Sequence, residues 1–339
     1  MRKPQILISA DAGERLELML VAAVATVLGI RAFLAATGYP QVGGSGLHIA
    51  HLLWGGLGLA IALIISISVL GRRSKTLAAL IGGLGFGFFI DEVGKFVTST
   101  NDYFYKPAIG LIYITFVAIA LVLRFVRTRH TSPNAALANA LELIADAHTN
   151  GLSPDEQVRI LELLRASGDQ SPIVTALHEA VADAPTSFDA PNPYERLKAW
   201  LARRYERIAV SRAFIGVVIV SSIAFLLVSV PSIAISVGAL LVGSTLVASK
   251  TLVLTLIASA LVTAATLVGV VQLARRRRIR GLEWLRTSMA LSILVAAPIE
   301  FWTREFAALP GFLATLIAYG ALGYAIGRER ERADVPPSG

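Results

Sequence analysis

Residues 250–280 read KTLVLTLIASALVTAATLVGVVQLARRRRIR. From Thr251 to Ala274 the run carries no charge, and it ends on Arg275, Arg276, Arg277 and Arg278. About 20 mostly apolar residues suffice for an α-helix to cross the hydrocarbon core of a bilayer. Arginines gathered at one end of such a run mark its cytoplasmic side. The stretch therefore reads as a transmembrane helix whose C-terminal end faces the cytoplasm.

The same pattern extends outward in both directions. Apolar runs from about Leu16 to Thr37, His48 to Leu70, Thr76 to Thr98 and Lys106 to Arg124 precede it, and runs from Glu283 to Thr303 and Pro310 to Ile326 follow. Another run begins at Ser211. Residues 213–249 hold no charge at all, and Pro231 is expected to end a fifth helix there. If 232–249 also crossed the bilayer, the cluster at 275–278 would face outward, against the positive-inside rule. That segment is therefore read as apolar but non-spanning. The fold class is all-α: a polytopic membrane protein with about eight transmembrane helices in two four-helix halves and a small cytoplasmic helical insert. The sequence divides into a first transmembrane half (1–126), an insert (127–208) and a second half (209–339). Both termini are expected in the cytoplasm of a bacterial cell, with the chain in the inner membrane.

Composition agrees with this. Hydrophobic residues make up 55% of the 339 positions and charged residues only 16%, against roughly 25% charged in soluble domains. The net charge of +8 sits beside the apolar runs, at Arg72, Arg73 and Lys75, at Arg124, Arg127 and Arg129, and at Arg328, Arg330 and Arg332. It reads as topological anchoring, and nucleic acid is not expected as a partner. There is no cysteine, so disulfides, thiolate metal sites and cysteine nucleophiles are excluded. The first run holds Arg31 and lacks the short uninterrupted core of a cleavable signal, so it is expected to be retained.

The insert changes character. Residues 134–147, 153–167, 172–182 and 194–208 read as amphipathic or charged helices. Ser153-Pro-Asp-Glu supplies an N-cap, a first-turn proline and a glutamate three residues on. Further, Arg72 to Glu92 and Arg280 to Glu300 each run 20 steps from a basic residue to a glutamate, and each continues through a polar loop to a proline, Pro107 or Pro310. This suggests a parallel internal repeat, a device used by several transporter families.

Ionisable groups inside spans are costly and mark candidate sites. Arg31, His48, His51, Asp91, Glu92 and Lys95 fall at one depth near the outer face. Three readings stay open. In the first, Lys95 pairs within its own helix and Arg31 takes the remaining carboxylate. In the second, His48, His51 and Glu92 or Asp91 bind zinc or non-haem iron, two imidazoles and a carboxylate leaving an open position for water. In the third, His48, His51, Asp91, Glu92 and Lys95 form a proton or ion relay. The glycines at 82, 83, 85 and 87 suggest close helix packing.

The segments ³⁵AATGYPQVGG, ⁴⁷LHIAHLLWGG, ⁸⁹FIDEVGKFVT and ¹⁰¹NDYFY resemble a group of bacterial multi-pass membrane proteins of uncharacterised activity. The resemblance covers residues 31–116 and implies a bacterial cytoplasmic membrane, but no reaction. The leading functional expectation is a transporter, channel or proton-coupled protein, and an enzyme is the less favoured class. The alternatives are a membrane-embedded metal-dependent enzyme acting on a lipid or small molecule, and a scaffold or signalling protein acting through its insert. Expected partners are the lipid bilayer, a cytoplasmic protein at 127–208 and further copies of the chain.

Overall fold

A computed structural model describes residues 7–37, 51–97, 105, 107–129, 132–187, 193–209, 211–241 and 250–334. Among these the chain is helical throughout and contains no strand. In order, the helices are α1 (Ala12–Thr37), α2 (His51–Ser68), α3 (Arg72–Asp91), α4 (Val93–Val97), α5 (Pro107–Thr128), α6 (Pro133–Asn150), α7 (Pro154–Ser167), α8 (Pro172–Ala182), α9 (Pro193–Ala209), α10 (Arg212–Leu241), α11 (Lys250–Ala274), α12 (Arg278–Leu291), α13 (Ala297–Arg304) and α14 (Leu309–Asp334). A π-helical turn, Ser292–Ala296, joins α12 to α13, and a 3₁₀ turn, Glu305–Ala308, joins α13 to α14.

Seven stretches are long and apolar enough to cross a membrane. Six are single helices, and the seventh spans Arg278–Glu331. A straight helix of its 54 residues would be about 80 Å long, well over twice a bilayer core. It does not run straight. Glu305 adopts a left-handed φ of 53°, and Arg330 returns to within 2.6 Å of Glu283. The α12–α13 leg and α14 are therefore antiparallel, and the chain has eight helical legs of spanning length among the described residues.

Two compact units emerge. The first comprises residues up to 105 together with 115–190, and the second 106–114 together with 191–339. In the first unit, α3 packs between α1 and α2 because its glycines remove the side chains that would hold the backbones apart. A Cβ on Gly85 would lie 2.8 Å from the Leu59 nitrogen of α2, and one on Gly87 would lie 2.7 Å from the Ala23 carbonyl of α1. Gly83 sits equally close to Met19 and Ala22 of α1.

Helices α6 to α8 enclose a small apolar core of Leu143, Leu152, Ile160, Leu164, Val174 and Val181. Ser153 and Glu156 form the reciprocal capping box that the sequence suggests. These helices are fastened to the start of α3 and α1 by charge. Asp11 is buried and pairs with Arg15, Arg72 and Arg159 at 3.1, 2.6 and 3.0 Å. Arg72 also reaches Glu156 at 2.5 Å, and Lys75 reaches Glu142 at 2.5 Å. Burial by itself raises the Asp11 carboxyl, but the hydrogen bond and charge of Arg72, with Arg159 and Arg15, outweigh it and hold the group below the ordinary carboxylate range. The insert helices α6–α8 thus belong to the first unit, whereas α9 belongs to the second.

In the second unit Ile215, Val218, Leu282, Leu285, Leu322 and Ile326 form the apolar seam joining α10, α12 and α14. One expectation is corrected here. Pro231 does not end a helix: α10 runs through it to Leu241. Proline in a helix interior removes one backbone hydrogen bond. In a bilayer the cost of stopping is higher, because freed backbone groups find no water, and nearby hydroxyls help restore the bonding. Ser232 donates to the Val228 carbonyl at 2.7 Å, next to the Leu227 carbonyl that loses its partner at Pro231. Residues 232–241 therefore continue the span, and 242–249 lie outside the described residues.

Candidate functional site

The first unit gathers five of the six candidate residues at the far end of α3. Asp91 is the last residue of α3, about 28 Å along the axis from Arg72. The helix stops at Glu92, whose φ and ψ of −92° and 9° break the regular turn. Both carboxylates are completely buried. Arg31 of α1 donates from Nε to the Asp91 carboxylate at 2.6 Å and from a terminal nitrogen to the Asp91 carbonyl at 3.0 Å. Lys95 of α4 donates to Glu92 Oε1 at 2.6 Å, and His51 Nδ1 lies 3.3 Å from the same oxygen. Glu92 Oε2 accepts the Leu52 backbone N–H at 2.9 Å.

That last bond adds a partner that no side-chain motif reveals. A backbone N–H carries partial positive charge, and one that donates to a buried carboxylate replaces part of the water the carboxylate has lost. No residue type in the sequence announces this bond.

Glu92 is thereby satisfied at both oxygens by one ammonium, one amide and one imidazole. Among the described residues no three His, Asp or Glu side chains converge as a metal-binding group. His48, the second imidazole of the zinc or iron reading, lies outside the described residues.

The second unit holds a feature the sequence reading passed over. A cavity of about 270 Å³ has a mostly apolar lining that includes Phe225, Met289 and Phe312, with Ser221, Ser222, Thr266, Ser288, Ser292 and Thr315 as its hydroxyl-bearing residues. Several of these have already donated their hydrogen: Ser222 to the Val218 carbonyl at 2.7 Å, Thr266 to Val262 at 2.8 Å and Thr315 to Gly311 at 2.9 Å. Ser288 bonds within the same group, 2.5 Å from Thr266. A hydroxyl that has donated presents only lone pairs, so the wall is rich in acceptors. Glu300 of α13, itself exposed, borders the cavity at its edge. The polar part of the wall, acceptor oxygens with one carboxylate, is chemically compatible with a small cation or a hydrogen-bond donor.

The wall is also irregular. The π-helical turn Ser292–Ala296 contributes Ser292 and Ile293 to the lining, and such turns recur at functional positions in helices. Tyr113, from the first turns of α5, donates its hydroxyl to the Ile293 carbonyl at 2.5 Å and stacks on Phe301 at 4.8 Å between ring centroids. These contacts hold the displaced carbonyl in place.

Helical legs of spanning length, buried charge pairs within them and an acceptor-lined cavity together define an all-α polytopic membrane protein. Comparison with protein-family models, with curated proteins and with solved structures finds no match to this chain.

Proposed function

We propose that this chain is a transport or proton-coupled protein of the bacterial inner membrane, and that its cargo is a small cation or a proton. The observation that carries the proposal is the acceptor-lined cavity in the second unit, with Glu300 as its charge. Water and polar walls inside a membrane are costly unless something uses them, and hydroxyl oxygens can replace part of a hydration shell. The Arg31–Asp91 and His51–Glu92–Lys95 pairs have their charges internally compensated, and in this reading they fix the outer ends of α1, α2 and α3. The arginine-rich ends support a cytoplasmic location for both termini and for 127–208.

The test is flux. Full-length protein in liposomes carrying a dye sensitive to protons, sodium or potassium is given an inward gradient of the matching ion in turn. Uptake of at least one cation above empty liposomes is expected, and Glu300→Gln is expected to lower it by about tenfold or more, a loss of about 1.4 kcal/mol at the barrier. Flux equal to that of empty liposomes for every ion, or full flux in Glu300→Gln, overturns the reading.

A further inference from the structure

A second recess in the second unit has the opposite character. It is open, holds about 1080 Å³, and is lined by Arg203 and Arg207 of α9, Arg286 of α12 and Arg328 of α14. Nearby arginines are paired: Arg278 with Glu329 and Arg330 with Glu283. Among the described residues none of the four lining guanidinium groups has such a carboxylate partner. Arg286 goes further, since its Nε is buried without any hydrogen-bond acceptor. It lies about 12 Å along the axis from Arg278, inside a leg of spanning length. An unpaired arginine at that depth is expensive and marks a site with a missing partner.

Small residues shape the floor. Gly320, Gly323 and Gly327 of α14 all line the recess. A Cβ on Gly323 would come within 3.3 Å of the Arg286 guanidinium, and one on Gly320 would strike the Tyr205 hydroxyl. That hydroxyl donates to the Ile317 carbonyl at 2.8 Å, which seats α9 on α14. Arg286 is held flat by stacking on Tyr319, 4.6 Å from the ring centroid. Two carboxylates, Glu206 and Glu331, also border the space, so the recess keeps a surplus of positive charge.

We infer that this recess binds the phosphate headgroup of an anionic phospholipid. Guanidinium groups match phosphate oxygens in geometry and charge. Basic pockets between membrane helices are a recurrent site for anionic headgroups. The acyl chains also have somewhere to lie: α9 exposes Leu197, Trp200 and Leu201 at helical spacing on one side, and a basic helix with such a face is suited to the membrane interface. A soluble phosphate would use the arginines but not that face.

Native mass spectrometry of the full-length protein decides it, with phosphatidylglycerol, phosphatidylcholine and glycerol 3-phosphate titrated separately. Saturable phosphatidylglycerol binding is expected, weakened roughly tenfold or more in Arg286→Gln/Arg328→Gln. Glu206→Gln/Glu331→Gln is expected to tighten it, a gain that a misfolded protein would not give. Equal binding of phosphatidylcholine, unchanged binding in the arginine variant, or no tightening in the glutamate variant overturns the inference. Displacement of the lipid by equimolar glycerol 3-phosphate would assign the recess to a soluble phosphate and overturn the lipid assignment.

Discussion

Glu92 is a carboxylate with no access to solvent, and its energy depends on what replaces water around it. Lys95 at 2.6 Å supplies the full opposite charge, and Leu52 and His51 supply the remaining bonds. Removing one partner of a buried pair leaves an uncompensated charge and costs about 3–5 kcal/mol, whereas removing both is far milder. Lys95→Met is therefore expected to lower the unfolding free energy in detergent by about 3 kcal/mol, less than a fully buried pair because Lys95 is partly exposed. Lys95→Met/Glu92→Gln is expected to recover most of that loss. Equal destabilisation in the single and double variants, read from thermal melts, would show that the charge pairing contributes nothing. At this scale the sequence was partly legible. The level of Arg31, His51, Asp91, Glu92 and Lys95 follows from helix length alone. The split into Arg31–Asp91 and His51–Glu92–Lys95 depends on how α3 breaks at Glu92, which residue types do not announce. Arg286 falls inside the run from Glu283 to Thr303 but is not singled out there, and its unpaired state depends on which carboxylates fold near it.

At the scale of elements, glycine divides into positions that carry contact and positions that do not. A Cβ on Gly55 of α2 would sit 2.5 Å from the Phe89 backbone nitrogen of α3, closer than any real contact, and Gly85 faces back at 2.8 Å from Leu59. Gly29 of α1 and Gly56 of α2 have nothing within 4 Å. Gly55→Ala and Gly85→Ala must push backbone away from backbone and are expected to lower the melting temperature and the yield of folded protein. Gly29→Ala removes only the entropic disadvantage of glycine in a helix, and is expected to be neutral or to stabilise by about 0.5–1 kcal/mol. If all three variants melt alike, the helices do not pack through these glycines. The run of glycines in α3 announced close packing, yet only the fold says which helix each one meets. Pro231 taught the opposite lesson. In water its cost of about 3 kcal/mol would end a helix, whereas a bilayer penalises the exposed backbone of a break more heavily. The hydroxyl-lined cavity was silent in sequence for a related reason: serine and threonine that bond to their own helix are ordinary in membrane spans, and only their convergence is unusual.

Across the whole molecule, parity is the quantity that the eight legs fix. Six single helices and one hairpin make eight legs of spanning length, and an even number of crossings is expected to leave the segment before α1 and the end of α14 on one side, with the α13–α14 turn on the other. The α6–α8 helices follow four legs and are expected on the side of the termini. The chain contains no cysteine, so single-cysteine variants report position without background. Ala10→Cys, Thr149→Cys and Glu331→Cys introduce thiols at sites exposed in the fold, and Thr303→Cys places one next to the turn at Glu305. With a membrane-impermeant maleimide on intact cells, Thr303→Cys is expected to label, and the other three only after the membrane is opened. The arginine clusters at 72–75, 124–129, 275–280 and 328–332 are the basis of this expectation under the positive-inside rule. Labelling of Glu331→Cys but not Ala10→Cys in intact cells would mean an odd number of crossings.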